Sequence, residues 1–500
     1  MKKLGLLVLS VLFVVSCGEV TSTSSMGTSS SSIEKVFTHV ECNENINNYK
    51  VSMNDNMPRL NSIGERKMLV VPLIIEGYEH NATDDNLSKL EKAFFGKSED
   101  VEYESVSSYY EKSSYGNLKL SGKVTPWIDL DIKPQDLTTH ASETYNDYGL
   151  FHVADKVYEW YTSTYDDVDS FDSDNDGFID SLYIIYSAPN FLLDKNLSES
   201  FWAMTSSRYD QKDLVSDKAK VSYFSWSSYD FMFQNYGQDK IDTHTYIHEV
   251  GHLLGLKDYY CYNEANIAPM GKVDMMDYDL GDHSAFSKFS LGWVKPYLID
   301  DGGTINLNSF NETGDCLIFK TNNYNNTPFD EYIMMEYITP TNLNVDYLTG
   351  FKKYGMSERM FGFDSAGLRI TLINAVGVDV DGNQTDDISK MIDLKFRNTG
   401  YVQEGYYNFE TSMFNVLATM IPSSPNRGHG LFSNLYQATS RDLFEEGDTF
   451  DLKRGSVYRN LIPSQTNKYN KLGAGFFQFE VKVESSSDNG CTLSIISLAN

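Results

Sequence analysis

His248-Glu249-Val250-Gly251-His252-Leu253-Leu254-Gly255-Leu256-Lys257-Asp258 places two histidines four residues apart. On a helix both imidazoles leave one face, close enough to hold a single metal ion. Tyr246, Ile247, Val250, Leu253 and Leu254 recur at helical spacing and predict a core-facing stripe beside that metal face. Gly255 is placed to end the helix in a left-handed turn, and the returning chain would carry Asp258 towards the same ion. Two imidazoles and one carboxylate leave a position open for water. That is the pattern of a catalytic zinc, since a structural zinc closes all four positions, usually with cysteine. Glu249, next to the first histidine, is the expected general base. A bare His-Glu-x-x-His is compatible with chance in a long chain, but the added glycine and aspartate at fixed offsets make chance a poor explanation.

The flanking sequence predicts an α/β domain around this helix. Met68 to Ile75 is a continuous apolar run with β-branched bias and reads as a buried strand. Leu87 to Phe95 and Phe151 to Tyr161 read as helices, and Glu104 to Gly122 as a helix, a Tyr115-Gly116 turn and an alternating strand. Helices alternating with strands give the α/β class. Phe171-Asp172-Ser173-Asp174-Asn175-Asp176-Gly177-Phe178-Ile179-Asp180 spaces carboxylates at alternate positions around a glycine turn. A loop of this kind offers the many oxygen ligands that Ca²⁺ takes, so Asp172, Asp174, Asp176 and Asp180 are expected to form a structural calcium site. It is not an EF-hand, because the twelfth position would be Tyr183 where that loop needs a bidentate glutamate.

Beyond the zinc helix come Asp274-Met275-Met276-Asp277-Tyr278 and Ser287-Lys288-Phe289-Ser290-Leu291-Gly292-Trp293-Val294. Together with the zinc stretch, the upstream Ser114-Tyr115-Gly116 and the Asp-rich loop, these make the chain resemble the immune inhibitor A-type secreted zinc metallopeptidases, relatives of the metzincins. The likeness covers about residues 66–297, with weaker echoes at Glu331 to Glu336 and Leu443 to Asp448. It implies that His248, His252 and Asp258 bind zinc, that Glu249 is the base, and that Met276 forms the floor beneath the metal. By a looser analogy with metzincins, Tyr278, two residues after that methionine, is a candidate for stabilising the oxyanion, or else an ordinary packing residue. Lys257 and Val273 depart from the proline and tryptophan usual in the family, and neither is a ligand. A competing design would take its third ligand from a later glutamate, with Glu264, Glu312, Glu331 and Glu336 available. His244 reads as an exposed residue at the helix start, and His283 as a loop residue.

Met1-Lys2-Lys3 followed by the apolar Leu4 to Val15 has the form of an export signal too short to span as a mature helix. Its end, Val14-Val15-Ser16-Cys17, resembles the lipobox of bacterial lipoproteins, which implies lipidation of Cys17 and stable anchoring by more than one acyl chain. A Ser/Thr-rich run from Ser22 to Ser32 reads as a flexible tether. The expected organisation is therefore a signal and lipobox at 1–17, a tether and N-terminal segment at 18–65, the catalytic domain at 66–297, and a C-terminal domain at 298–500. Thr304 to Leu307, Cys316 to Phe319, Tyr332 to Tyr337, Gly367 to Ala375, Phe476 to Val483 and Cys491 to Leu498 are short runs separated by Asn, Gly and Asp, the signature of an antiparallel β domain. Of the five cysteines, four remain for up to two disulfides if Cys17 is modified.

A formal net charge of −29 argues against a nucleic-acid partner, since phosphate binding needs a basic surface. The expectation is a lipoprotein on the outer face of the cell membrane, or shed from it, that hydrolyses extracellular proteins or peptides with zinc-activated water. The alternative is a surface adhesin or solute-binding lipoprotein with a vestigial zinc site.

Overall fold

The computed structural model describes residues 37–40, 57–137, 149–208, 215–234, 240–260, 270–320, 324–348, 362–379, 381, 393–395, 417–420, 438–452 and 478–498. Cys17 and the signal, the tether, Cys42, Cys261 and Glu264 lie outside the described residues. The chain is α+β, and residues 36–500 form one compact unit.

The elements of the N-terminal half are β1 (Thr38–His39), β2 (Gly64–Ile75), α1 (Asp84–Phe95), α2 (Val106–Ser113), β3 (Leu118–Val124), β4 (Ile128–Ile132), α3 (Leu150–Thr164), β5 (Phe178–Ile179), β6 (Ser181–Tyr186), β7 (Met204–Ser207), β8 (Lys220–Val221), β9 (Tyr223–Ser228), α4 (His244–Leu253), α5 (Met275–Tyr278) and α6 (Ala285–Ser290). The main sheet runs β3-β2-β6-β9-β7, with β4 continuing beside β2 after β3 ends. All its pairs are parallel except β7 with β9, so β7 is an antiparallel edge.

The continuous apolar run of β2 follows from burial on both faces, as parallel strands require. Met68 and Val70, with Tyr183 and Ile185 of β6, join the core under α1, α2 and α4. Leu69, Val71, Leu73 and Ile75, with Leu182, Ile184, Phe224 and Trp226, face α3. Pro72 sits in this central strand without breaking it. Its missing N–H falls on the side where β3 has ended, at Val124 opposite Val70, and β4 has not begun, at Ile128 opposite Leu73.

The remaining elements are β10 (Tyr297–Ile299), β11 (Gly303–Asn308), α7 (Phe310–Thr313), β12 (Cys316–Lys320), β13 (Glu331–Ile338), β14 (Gly367–Asn374), β15 (Val376–Val378), β16 (Asp393–Lys395), β17 (Leu417–Met420), β18 (Thr449–Asp451), β19 (Phe479–Ser487) and β20 (Gly490–Ser497). A six-stranded sheet β1-β10-β12-β13-β14-β17 faces a four-stranded sheet β11-β20-β19-β18. Every pair is antiparallel except β10 with β12. Leu317, Phe319, Ile333, Met335, Leu368 and Ile370 point into the space between the sheets, against Leu307, Val481, Leu493 and Ile495. The alternate residues Cys316, Ile318, Tyr332 and Met334 point the other way and join the core under the zinc-type helix. Strands β12 and β13 are thus buried on both faces, and the N-terminal half shares its core with them. Cys316 and Cys491 are buried free thiols.

Candidate metal centre

Helix α4 carries His248 and His252 on one face while Tyr246, Ile247, Val250 and Leu253 enter the core. It ends as its sequence predicts. Gly255 adopts φ +99°, its N–H bonds the His252 carbonyl at 2.9 Å, and the Leu256 N–H bonds the Gly251 carbonyl at 3.0 Å. The last turn is closed from outside as well. Arg59 Nη1 donates to the His252 carbonyl at 2.8 Å and the Leu60 N–H to the Leu253 carbonyl at 3.2 Å. A cation at the helix C-terminus also suits the dipole.

The turn after Gly255 brings Asp258 back to the histidines. Its Oδ1 lies 2.9 Å from His248 Nε2 and 3.4 Å from His252 Nε2. The other ring nitrogens are already engaged: His252 Nδ1 with the Leu256 carbonyl at 2.8 Å, and His248 Nδ1 with the Met275 carbonyl at 2.8 Å and Asp279 Oδ1 at 2.8 Å. Each Nδ1 that donates to an oxygen leaves the Nε2 lone pair for a metal, and this outer support fixes ring orientation. His248, Glu249 and His252 have ligand atoms within 4.8 Å of one another. That group takes its carboxylate from Glu249; the Asp258 Oδ1 contacts to both Nε2 atoms supply the alternative set of two imidazole nitrogens and a carboxylate oxygen, which is of the kind zinc takes.

Burial alone pulls the His248 pKa down, but Asp279 and Asp258 more than offset it and hold the ring above its usual value. Burial likewise pushes Asp258 up, yet His252 and His248 leave it well below the carboxylate range. Glu249 is raised by burial despite the nearby histidines. A carboxyl raised in this way is the better proton acceptor.

Met276 lies directly beneath the helix. A Cβ added to Gly251 would stand 2.5 Å from Met276 Sδ and 3.4 Å from the Tyr110 hydroxyl, so glycine lets the two elements touch. Tyr110 of α2 donates to the Ile247 carbonyl at 2.7 Å. Asp274 fixes the methionine turn by accepting from Met276 N at 2.7 Å and from Ser284 N at 2.7 Å. Tyr278, half-buried at the end of α5, has the Lys272 ammonium 4.6 Å over its ring, which ties it to the loop before Met276.

Of the competing third ligands, the three among the described residues are placed elsewhere in the fold. Glu336 is committed to Arg369 at 2.7 Å and accepts from Ala285 N at 3.0 Å, while Glu312 lies on α7 and Glu331 on β13. His244 is buried, correcting the expectation of an exposed residue. Its ring stacks on Tyr103 at 4.6 Å and Nδ1 bonds Asp242 at 2.7 Å. His283 is a loop residue as expected, but a buried one among Tyr109, Tyr110 and Trp293, and burial holds its pKa far below the usual value.

In the Asp-rich loop, Asp172, Asp174 and Asp176 bring carboxylate oxygens within 4.8 Å of one another. Asp180 is not in that group. Its oxygens accept from Lys67 N at 2.8 Å and from Ser173 N at 3.3 Å, with the Ser173 hydroxyl beside them. Asp172 accepts the N–H groups of Asp176 and Gly177, both at 3.0 Å, and Gly177 at φ +88° makes the turn. Burial, then the neighbouring carboxylates, raise Asp176 to about 6 against the bonds it accepts.

Three further residues at this centre were not legible beforehand: Asp279, Arg59, and Thr205 of β7, whose hydroxyl lies 2.9 Å from Glu249 Oε2. None has a spacing signal, because each comes from a separate loop or strand. No family model matches this chain, and no curated protein sequence matches it.

Proposed function

We propose that the chain is an exported, surface-held zinc metalloendopeptidase with a metzincin-like catalytic half. The observation that carries this is the convergence of His248 Nε2, His252 Nε2 and Asp258 Oδ1 with both Nδ1 atoms engaged by oxygens, beside a buried glutamate. Zinc held there would lower the pKa of a water far below its bulk value, towards about 7. Glu249 accepts the proton of the attacking water and returns it to the leaving amine. Met276 supports the ligand helix from below, and Tyr278 is assigned to the developing oxyanion by analogy with metzincins. A vestigial site in an adhesin or solute-binding protein would be expected to have lost a ligand or the base, and this sequence keeps His248, Glu249, His252 and Asp258, which supports the peptidase reading. The substrates would be extracellular proteins or peptides, with Cys17 as the lipid anchor.

Asp258→Ala tests the ligand set. It should lose stoichiometric zinc during dialysis against a weak chelator, and activity with it, whereas Glu336→Ala keeps zinc. Zinc retained in Asp258→Ala would exclude Asp258 as the third ligand.

The clustered carboxylates of Asp172, Asp174 and Asp176 support a structural calcium site. A cation bound only by the folded state stabilises it by mass action, about 2.7 kcal/mol at a hundredfold excess over Kd. Removing calcium should therefore lower the Tm, and replacing Asp174 and Asp176 with Asn should abolish the shift. A parent Tm indifferent to calcium would leave the loop as an acidic turn.

A further inference from the structure

We propose that Thr205, on the edge strand β7, is a positioning residue for Glu249, fixing Oε2 of its carboxylate so that Oε1 is left for the attacking water. The role rests on the zinc-activated-water part of the function proposed above, whichever bond that water attacks.

Thr205 Oγ1 lies 2.9 Å from Glu249 Oε2, 3.2 Å from the Glu249 main-chain carbonyl and 2.8 Å from Ser225 Oγ. Ser225 is fully buried on β9, next to β7 in the sheet, and Glu249 is buried on α4. The hydroxyl has one proton to give. With Glu249 ionised, the carboxylate is the strongest acceptor of the three, and Ser225 can donate in turn to the Thr205 oxygen.

A base that later acts as an acid must keep its place in both protonation states. When Glu249 holds the water's proton on Oε1, Oε2 is the carbonyl oxygen of the acid and still accepts from the Thr205 O–H, so one hydrogen bond holds the side chain through both steps.

The test compares Thr205→Val, which keeps the shape and removes the hydroxyl, with Thr205→Ser, which keeps the hydroxyl, both in the full chain. A hydrogen bond to a charged group is worth about 1.5–3 kcal/mol, so kcat of Thr205→Val should fall roughly 10- to 100-fold. KM, zinc content and Tm should stay near the parent's, and Thr205→Ser should recover most of kcat. Unchanged turnover in Thr205→Val overturns the role. So does a loss that follows Tm or zinc content, or a Thr205→Ser variant as impaired as Thr205→Val.

Acetohydroxamic acid supplies a readout without turnover, since it yields a proton to a neighbouring base as it chelates the metal. Its calorimetric affinity should fall about tenfold in Thr205→Val, close to 1.4 kcal/mol, and recover in Thr205→Ser. If the zinc-loaded parent cleaves no peptide but this pattern appears, the peptidase function fails and the positioning role stands. An affinity indifferent to Thr205→Val removes the role in either case, and a parent that binds no zinc overturns both.

Discussion

Glu249→Gln is expected to keep zinc and lose peptide hydrolysis by about 10²–10⁴-fold in kcat, the range that general acid–base catalysis supplies. The substitution is nearly isosteric, and His248, His252 and Asp258 are untouched, so the ligand set survives. What is lost is the group that accepts a proton: an amide cannot take one from water at neutral pH. The amide oxygen can still accept from Thr205, which lies 2.9 Å from Oε2 in the parent, so the side chain should stay where it is. Bound zinc and cleavage of casein on the same folded preparation check this. Near-normal turnover would remove Glu249 as the base.

Lys288→Met is expected to cost about 3–5 kcal/mol of stability, the range for removing one partner of a buried ion pair. The Lys288 and Asp282 side chains are 0% and 4% exposed, with Nζ 2.6 Å from Oδ2. Nζ also reaches the Tyr115 hydroxyl at 3.0 Å and stands 4.2 Å over the Tyr115 ring and 5.0 Å from that of Phe310. Asp282 in turn accepts from the Ser113 hydroxyl at 2.6 Å and from His283 N at 2.8 Å. One ammonium thus ties together α6, the turn after α2 and α7. Methionine keeps the apolar stem but leaves Asp282 buried with an unbalanced charge. The double variant Lys288→Met/Asp282→Asn removes both charges and should recover part of the loss, which denaturant unfolding can measure. A single variant as stable as the parent would mean that the pair contributes nothing.

The zinc-type stretch was legible because its geometry is local. Four residues along a helix, then a glycine turn, bring His248, His252 and Asp258 together within eleven residues of sequence. The strands of the C-terminal half were legible for a similar reason, since alternation with period two survives in β14 and β20 and β13 is a largely apolar run buried throughout. Other features depend on distant parts of the chain. Strand β9, Tyr223–Ser228, has too many serines to read as a buried strand. Ser225 and Ser227 are nevertheless fully buried, and their hydroxyls pair with Thr205 and Tyr183, both at 2.8 Å. His244 departs from the exposed position that a helix start predicts, because Tyr103 stacks over it. Lys288 sat inside a motif, but its partner Asp282 becomes evident only once α2 and α7 are packed against it.

The most direct measurement is a digest. The purified full chain, loaded with zinc, is incubated with a denatured protein mixture, and newly formed peptide N-termini are counted by mass spectrometry with and without a chelator. The expected result is a set of new N-termini that vanishes with the chelator, returns with zinc, and is absent from Glu249→Gln. Stoichiometric zinc on the parent with no new N-termini would contradict the peptidase function.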